Sequence, residues 1–154
     1  MSLSIYTDGA CSGNHTMSGP RRAGIGLVMV DDDQVVWDHG EDITDKIGPD
    51  ITNNRAELYA ICMALETFLN EVQGYDSLTI FTDSKYSVDT FNEWLPKWKE
   101  ARKEYKNKDL IDRADELLTE SRKQFQVRLE HVRGHASNKY NNMADKLAVQ
   151  ASTK

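Results

Sequence analysis

Leu3 to Thr7 alternates apolar and polar residues, the period-two pattern of a half-buried strand. Ile25 to Val30 is apolar and β-branched, and Asp31-Asp32-Asp33 then predicts a tight turn into a strand from Gln34 to Trp37. Two hairpins built from three strands follow. From Thr52 the period changes: Leu58, Ile61, Leu65 and Phe68/Leu69 recur at helical spacing, with Thr52 or Asn53 as cap and Gly74 in the stop region. Ala56, Tyr59, Ala60, Cys62, Met63 and Ala64 spread apolar character over most faces of this helix, which predicts burial against a sheet.

Leu78 to Phe81 predicts a short fourth strand. Helices are expected at Tyr86 to Trp94, where Pro96 interrupts, and from Asp109 to about Lys123. Gln126 to Val132 alternates strictly and predicts a fifth strand. Asn141 or Asn142 is the expected cap of a last helix with Ala144, Leu147, Ala148 and Ala151 on one side. The order βββαβααβα is a mixed α/β fold, one five-stranded sheet flanked by helices. With neither a repeat nor a linker, residues 1–154 are expected to form a single domain.

Composition narrows the setting. The chain is 39% hydrophobic and 29% charged, as globular proteins are. It has no apolar stretch of the roughly 18 residues a membrane span requires and no secretion signal. Cys11 and Cys62 offer neither metal spacing nor a disulfide framework, so a reduced, cytoplasmic location is expected. The net charge of −6 argues against gripping nucleic acid with the whole surface. Locally the balance reverses: Lys97, Lys99, Arg102, Lys103, Lys106 and Lys108 crowd one segment with Glu100 and Glu104, beside Trp94 and Trp98.

Four carboxylates stand out. Glu57 shares a helical stripe with Ile61, Ala64/Leu65 and Phe68, where a charge is costly unless a cation meets it. A structural alternative is a capping box in the first turn, with Glu57 reaching back to Asn53 or Asn54. Asp8 and Asp83 close two apolar strands on Thr-Asp, and either could be a turn former; Asp145 could be a surface acid beside Lys146. Jointly, however, the four can converge at one sheet edge. Such hard oxygen ligands suit Mg²⁺ or Mn²⁺, and paired ions of this kind serve in-line displacement at phosphorus. His135, after Gly134 and before a polar loop, is a candidate proton carrier near neutral pH or else a surface histidine.

The motifs resemble those of the type 1 ribonuclease H family. "TDGACSGN" (Thr7 to Asn14), "TNNRAEL" (Thr52 to Leu58), "TDS" (Thr82 to Ser84) and "RGHASNKYNNMADKLA" (Arg133 to Ala148) follow the family's order and spacing. The resemblance, which runs from about Leu3 to Ala151, implies a ribonuclease H-like fold and hydrolysis of the RNA strand of an RNA–DNA hybrid. Products would carry 5′-phosphate and 3′-hydroxyl ends. It implies two Mg²⁺ ions, with Mn²⁺ a possible substitute, on Asp8, Glu57, Asp83 and Asp145, and His135 assisting proton transfer or product release. It further implies that Asn14, Asn53 and Asn54 contact ribose hydroxyls, that Cys11 lies against the substrate backbone, and that Trp94 handles the DNA strand. Core packing is the alternative for Trp94 and Trp98.

The chain departs from the family's pattern in three places: His15-Thr16-Met17-Ser18 ahead of Gly19-Pro20, Glu100 and Glu104 within the basic segment, and Asn141-Asn142 before the last helix. A stand-alone monomer is expected, with no separate hybrid-binding domain, no membrane association and no obligatory protein partner. Two other classes compete, a DNA-cutting nuclease of the same fold and a non-catalytic hybrid-binding module. The asparagines discriminate against the first, and the complete set of carboxylates against the second.

Overall fold

The computed structural model describes residues 1–12, 21–48, 50–133 and 138–153. Strands β1 (Ser2–Ser12), β2 (Arg22–Asp31) and β3 (Gln34–Asp42) form the antiparallel part of a sheet. β4 (Ser77–Thr82) and β5 (Gln126–His131) join it in parallel, giving the order β3-β2-β1-β4-β5. Asp32 and Asp33 both take positive φ, 49° and 64°, the twist a two-residue hairpin between β2 and β3 demands. The mixed five-stranded sheet expected from the sequence is therefore present.

Each face of the sheet is covered differently. On one side α1 (Asn53–Glu71) packs over β1 and β2 and is backed by α4 (Lys108–Arg122). Ile5, Ile25, Leu27, Ile61, Leu65, Ile80 and Ile111 are fully buried there, each contributing roughly 1.5–3 kcal/mol. On the other side α5 (Lys139–Ser152) lies across β1, β2 and β3, with Val28, Val30, Tyr140 and Ala144 as a second cluster. Its backbone comes so close that a Cβ on Gly24 or Gly26 would stand under 3.0 Å from the Ala148 or Ala144 carbonyl oxygen.

Three helical features differ from expectation. The chain passes Pro96 without breaking: α2 (Lys85–Asp89) runs through a π-helical turn (Thr90–Trp94) into α3 (Leu95–Glu100). The N–H of Leu95 donates to the Thr90 carbonyl five residues back, and Pro96, which has no N–H to place, falls at the start of the next α-turn. Second, α5 begins at Lys139, capped by Asn138, whose side chain accepts from the N–H groups of Tyr140 and Asn141 at 3.1 and 3.0 Å. Asn141 is buried within the helix and Asn142 belongs to its first turns, so neither is the cap. Third, although Thr52 is one of the two expected caps of α1, accepting from the Arg55 N–H at 3.2 Å, it places Glu57 beyond the first turn and so rules out the capping-box alternative.

Candidate functional site

The register of β1 and β4 sets the site. These parallel neighbours pair Thr7 with Thr82, so the next residue on each, Asp8 and Asp83, emerges at the same level. That level is the carboxyl end of the parallel pair, the edge where α/β sheets commonly bind ligands. Ser84 fixes the exit of the chain there: its N–H donates to Thr82 Oγ1 at 3.0 Å, and its Oγ accepts from the Ser87 N–H at 3.1 Å to start α2. Buried Thr7 and Thr82 thus anchor two aspartates rather than two turns.

Glu57 arrives from above. α1 crosses β1 at Gly9, where an added Cβ would lie under 3.0 Å from the backbone of Ala56 and Glu57. The Gly9 N–H donates to Glu57 Oε1. The missing side chain of Gly9 therefore admits the helix. Arg55, buried two residues before, secures the start of α1 by donating to the Ile47 carbonyl and to both carboxylate oxygens of Asp109, at 2.9 and 2.7 Å.

The carboxylates of Asp8, Glu57 and Asp83 offer oxygens all within 4.8 Å of one another. Asp8 and Glu57 are only 4% and 7% exposed. At an effective dielectric of about 20, each fully charged pair at such a distance repels by roughly 3–4 kcal/mol. Three pairs would approach on the order of 10 kcal/mol, comparable to the whole net stability of a domain, about 5–15 kcal/mol. Without a cation the cluster must hold protons. Burial first, then the charges of Asp83 and Asp145, together lift the Asp8 carboxyl to about 8 against the hydrogen bond with Glu57. Burial, then the charges of Asp8 and Asp83, likewise lift Glu57 well above the usual carboxylate range. A hard-oxygen donor set of this density fits divalent cations such as Mg²⁺ or Mn²⁺.

Asp145, exposed on α5, lines the same cleft of about 460 Å³. Cys11, Asn53 and Asn54 line it too, alongside Gly9, Ala10, Ser84, Lys85 and Tyr86. With Thr52 doing the capping, the two asparagine amides are exposed and make no side-chain hydrogen bond among the described residues. Burial raises the Cys11 thiol pKa against the opposing charge of Arg21, leaving a neutral contact surface and not a thiolate nucleophile. Trp94 stands apart from the cleft. It lies 6.3 Å from Tyr86 and 6.0 Å from Trp98, and Trp98 stacks on Tyr105 at 5.2 Å, a half-buried aromatic ladder running from the cleft rim into the basic segment. Packing and exposure are thus combined in both tryptophans. Asn14 and His135 lie outside the described residues.

Sequence reasoning missed Lys85 and Tyr86 as cleft residues. The signal was available: a strand-end aspartate followed at once by a helix brings that helix's first turn into the same cleft.

Comparison with known proteins agrees with this geometry. The family model for RNase H matches residues 1–153. A protein named Ribonuclease H from Clostridium botulinum is 36% identical over 154 residues, covering 96% of this chain and 93% of its own length. The crystal structure of RNase H1 from the halophilic archaeon Halobacterium salinarum is similar with a TM-score of 0.68 and 29% identity, over 98% of this chain and 97% of that one. The fold also matches LC11-RNase H1, crystallised in complex with an RNA/DNA hybrid, with a TM-score of 0.67 and 22% identity, over 97% of this chain and 96% of that one.

Proposed function

The chain belongs to the ribonuclease H family, and from that premise we propose that it is an endonuclease hydrolysing the RNA strand of RNA–DNA hybrids, leaving 5′-phosphate and 3′-hydroxyl ends. The observation that carries this reading is the convergence of Asp8, Glu57 and Asp83 at one sheet edge, with Asp145 and the exposed amides of Asn53 and Asn54 lining the same cleft. Asp8, Glu57, Asp83 and Asp145 would hold two Mg²⁺ ions, for which Mn²⁺ could substitute. Ions so held supply Lewis-acid activation of the attacking water and neutralise charge developing on the leaving 3′-oxygen.

The protein's own groups orient the substrate. An amide both donates and accepts, as a 2′-hydroxyl does, so Asn53 and Asn54 suit the ribose side of the RNA strand; Asn14 is assigned the same role. Cys11 offers a neutral surface to the backbone, where an anionic side chain would repel it. His135, ten residues before Asp145, is assigned proton transfer or product release. Trp94 and the basic segment after it take the DNA strand, an aromatic face and phosphate-pairing cations being what single-strand tracking uses. Support for a hybrid substrate comes from the family and from the cleft's pairing of carboxylates with ribose-matching amides.

The test is a labelled RNA–DNA hybrid, the same RNA alone and the all-DNA duplex, each with Mg²⁺. Cleavage confined to the RNA of the hybrid, with ligatable 5′-phosphate ends, is expected. Equal cleavage of single-stranded RNA, or cutting of the DNA duplex, contradicts the reading.

A further inference from the structure

Lys85 is the one cation among the described residues lining the cleft, against four carboxylates. Its position is poorly explained by stability. It is the first residue of α2, where the positive end of the helix dipole disfavours a cation. Its ion pair with Asp89, 2.9 Å at i,i+4, has the lysine N-terminal to the acid, the less favourable orientation. The ammonium-bearing side chain is 76% exposed, and solvent-screened surface pairs of this kind contribute little to stability. Asp89 therefore holds Lys85 loosely. The lysine stem is long and flexible, and its compact charge suits a phosphate.

The polyanionic substrate supplies the complement. A strand entering this cleft meets four carboxylates, and a cation at the rim is the local counterweight. The basic segment is a weaker source of positive charge than its composition suggests: Lys97 pairs with Glu93 at 3.8 Å, Lys108 with Asp112 at 3.0 Å, and Lys99 with Asp115.

We propose that Lys85 is a positioning residue: on substrate binding its ammonium leaves Asp89 and pairs with a backbone phosphate of the strand held beside the carboxylates. This rests on the hybrid-cleaving function proposed above. Asp89 is then a placeholder for the phosphate, and removing it frees the lysine.

Steady-state cleavage of a labelled hybrid across about 50–200 mM salt tests the pair. Lys85→Gln should raise KM several-fold at low salt and flatten the slope of log KM against log salt by about 0.7–0.9, one phosphate contact. Lys85→Arg should restore most of the slope, and Asp89→Asn should lower KM. Were Lys85 only a helix ion pair, Lys85→Gln and Asp89→Asn would both leave KM and slope unchanged and shift melting temperature alike; that result overturns the proposal. A wild-type protein that cleaves no hybrid instead refutes the function on which it rests, whereas normal cleavage with an unaltered slope in Lys85→Gln refutes only the role of Lys85.

Discussion

The backbone N–H of Gly9 on β1 donates to the carboxylate of Glu57 on α1, across a crossing too tight for any side chain at residue 9. One glycine thereby decides both how closely the helix sits on the sheet and where a carboxylate enters the cleft. The strand and helix supply the two halves of the site, and this contact fixes their separation.

Gly9→Ala should consequently cost more than a surface substitution. The new methyl has backbone atoms of Ala56 and Glu57 in its way, not the end of a flexible side chain. Overpacking of this kind costs roughly 1–3 kcal/mol. Chemical denaturation should show that loss, and hybrid cleavage should fall further than stability alone explains because Glu57 moves with the helix.

A second consequence concerns pH in the metal-free protein. An aspartate unfolds to an ordinary carboxyl near 3.8, whereas in the folded state Asp8 is lifted to about 8. The folded state thus binds more protons in between, so its stability is greatest below the lower value and declines as pH rises through the upper one. Melting temperature measured in EDTA should fall between about pH 4 and 8, with the coupled Glu57 carboxyl acting in the same direction. Asp8→Asn should raise it most near pH 8 and change it little at or below about pH 4. Added Mg²⁺ should abolish most of the decline.

The handle's charges make a third case. Lys97, Lys99 and Lys108 are already paired with Glu93, Asp115 and Asp112. Affinity for hybrid should therefore depend weakly on salt for a segment holding six basic residues. Asp112→Asn and Asp115→Asn should each steepen the slope and lower KM by freeing a lysine, without altering kcat.

Much of this arrangement was legible beforehand. Apolar alternation located the strands, and the two Thr-Asp pairs marked the carboxylates that β1–β4 register brings level, although β1 runs on past Asp8 to Ser12 and only Asp83 follows a strand end. Less legible was anything set by packing between elements. The purpose of Gly9 depends on α1 lying over it, a long-range contact without local signature. Pro96 reads as a breaker because local rules count a lost hydrogen bond, yet the π-turn before it absorbs that loss. Asn138, Asn141 and Asn142 are equivalent caps by composition, and the seat of α5 on Gly24 and Gly26 accompanies the choice of the first. Lys85 has no pattern of its own as a residue, and only its place in the first turn after Asp83 signals the cleft.

The central claim, that these carboxylates form one cation site serving RNA cleavage, is tested most directly by single-turnover cleavage of a labelled RNA–DNA hybrid in Mg²⁺. Wild type is compared with Asp8→Asn and Asp83→Asn, and folding is verified by circular dichroism. Loss of at least about 10²–10³-fold in rate, in variants that remain folded, is expected if charge stabilisation at this site drives the reaction. Rates within a few-fold of wild type in either folded variant would contradict the account.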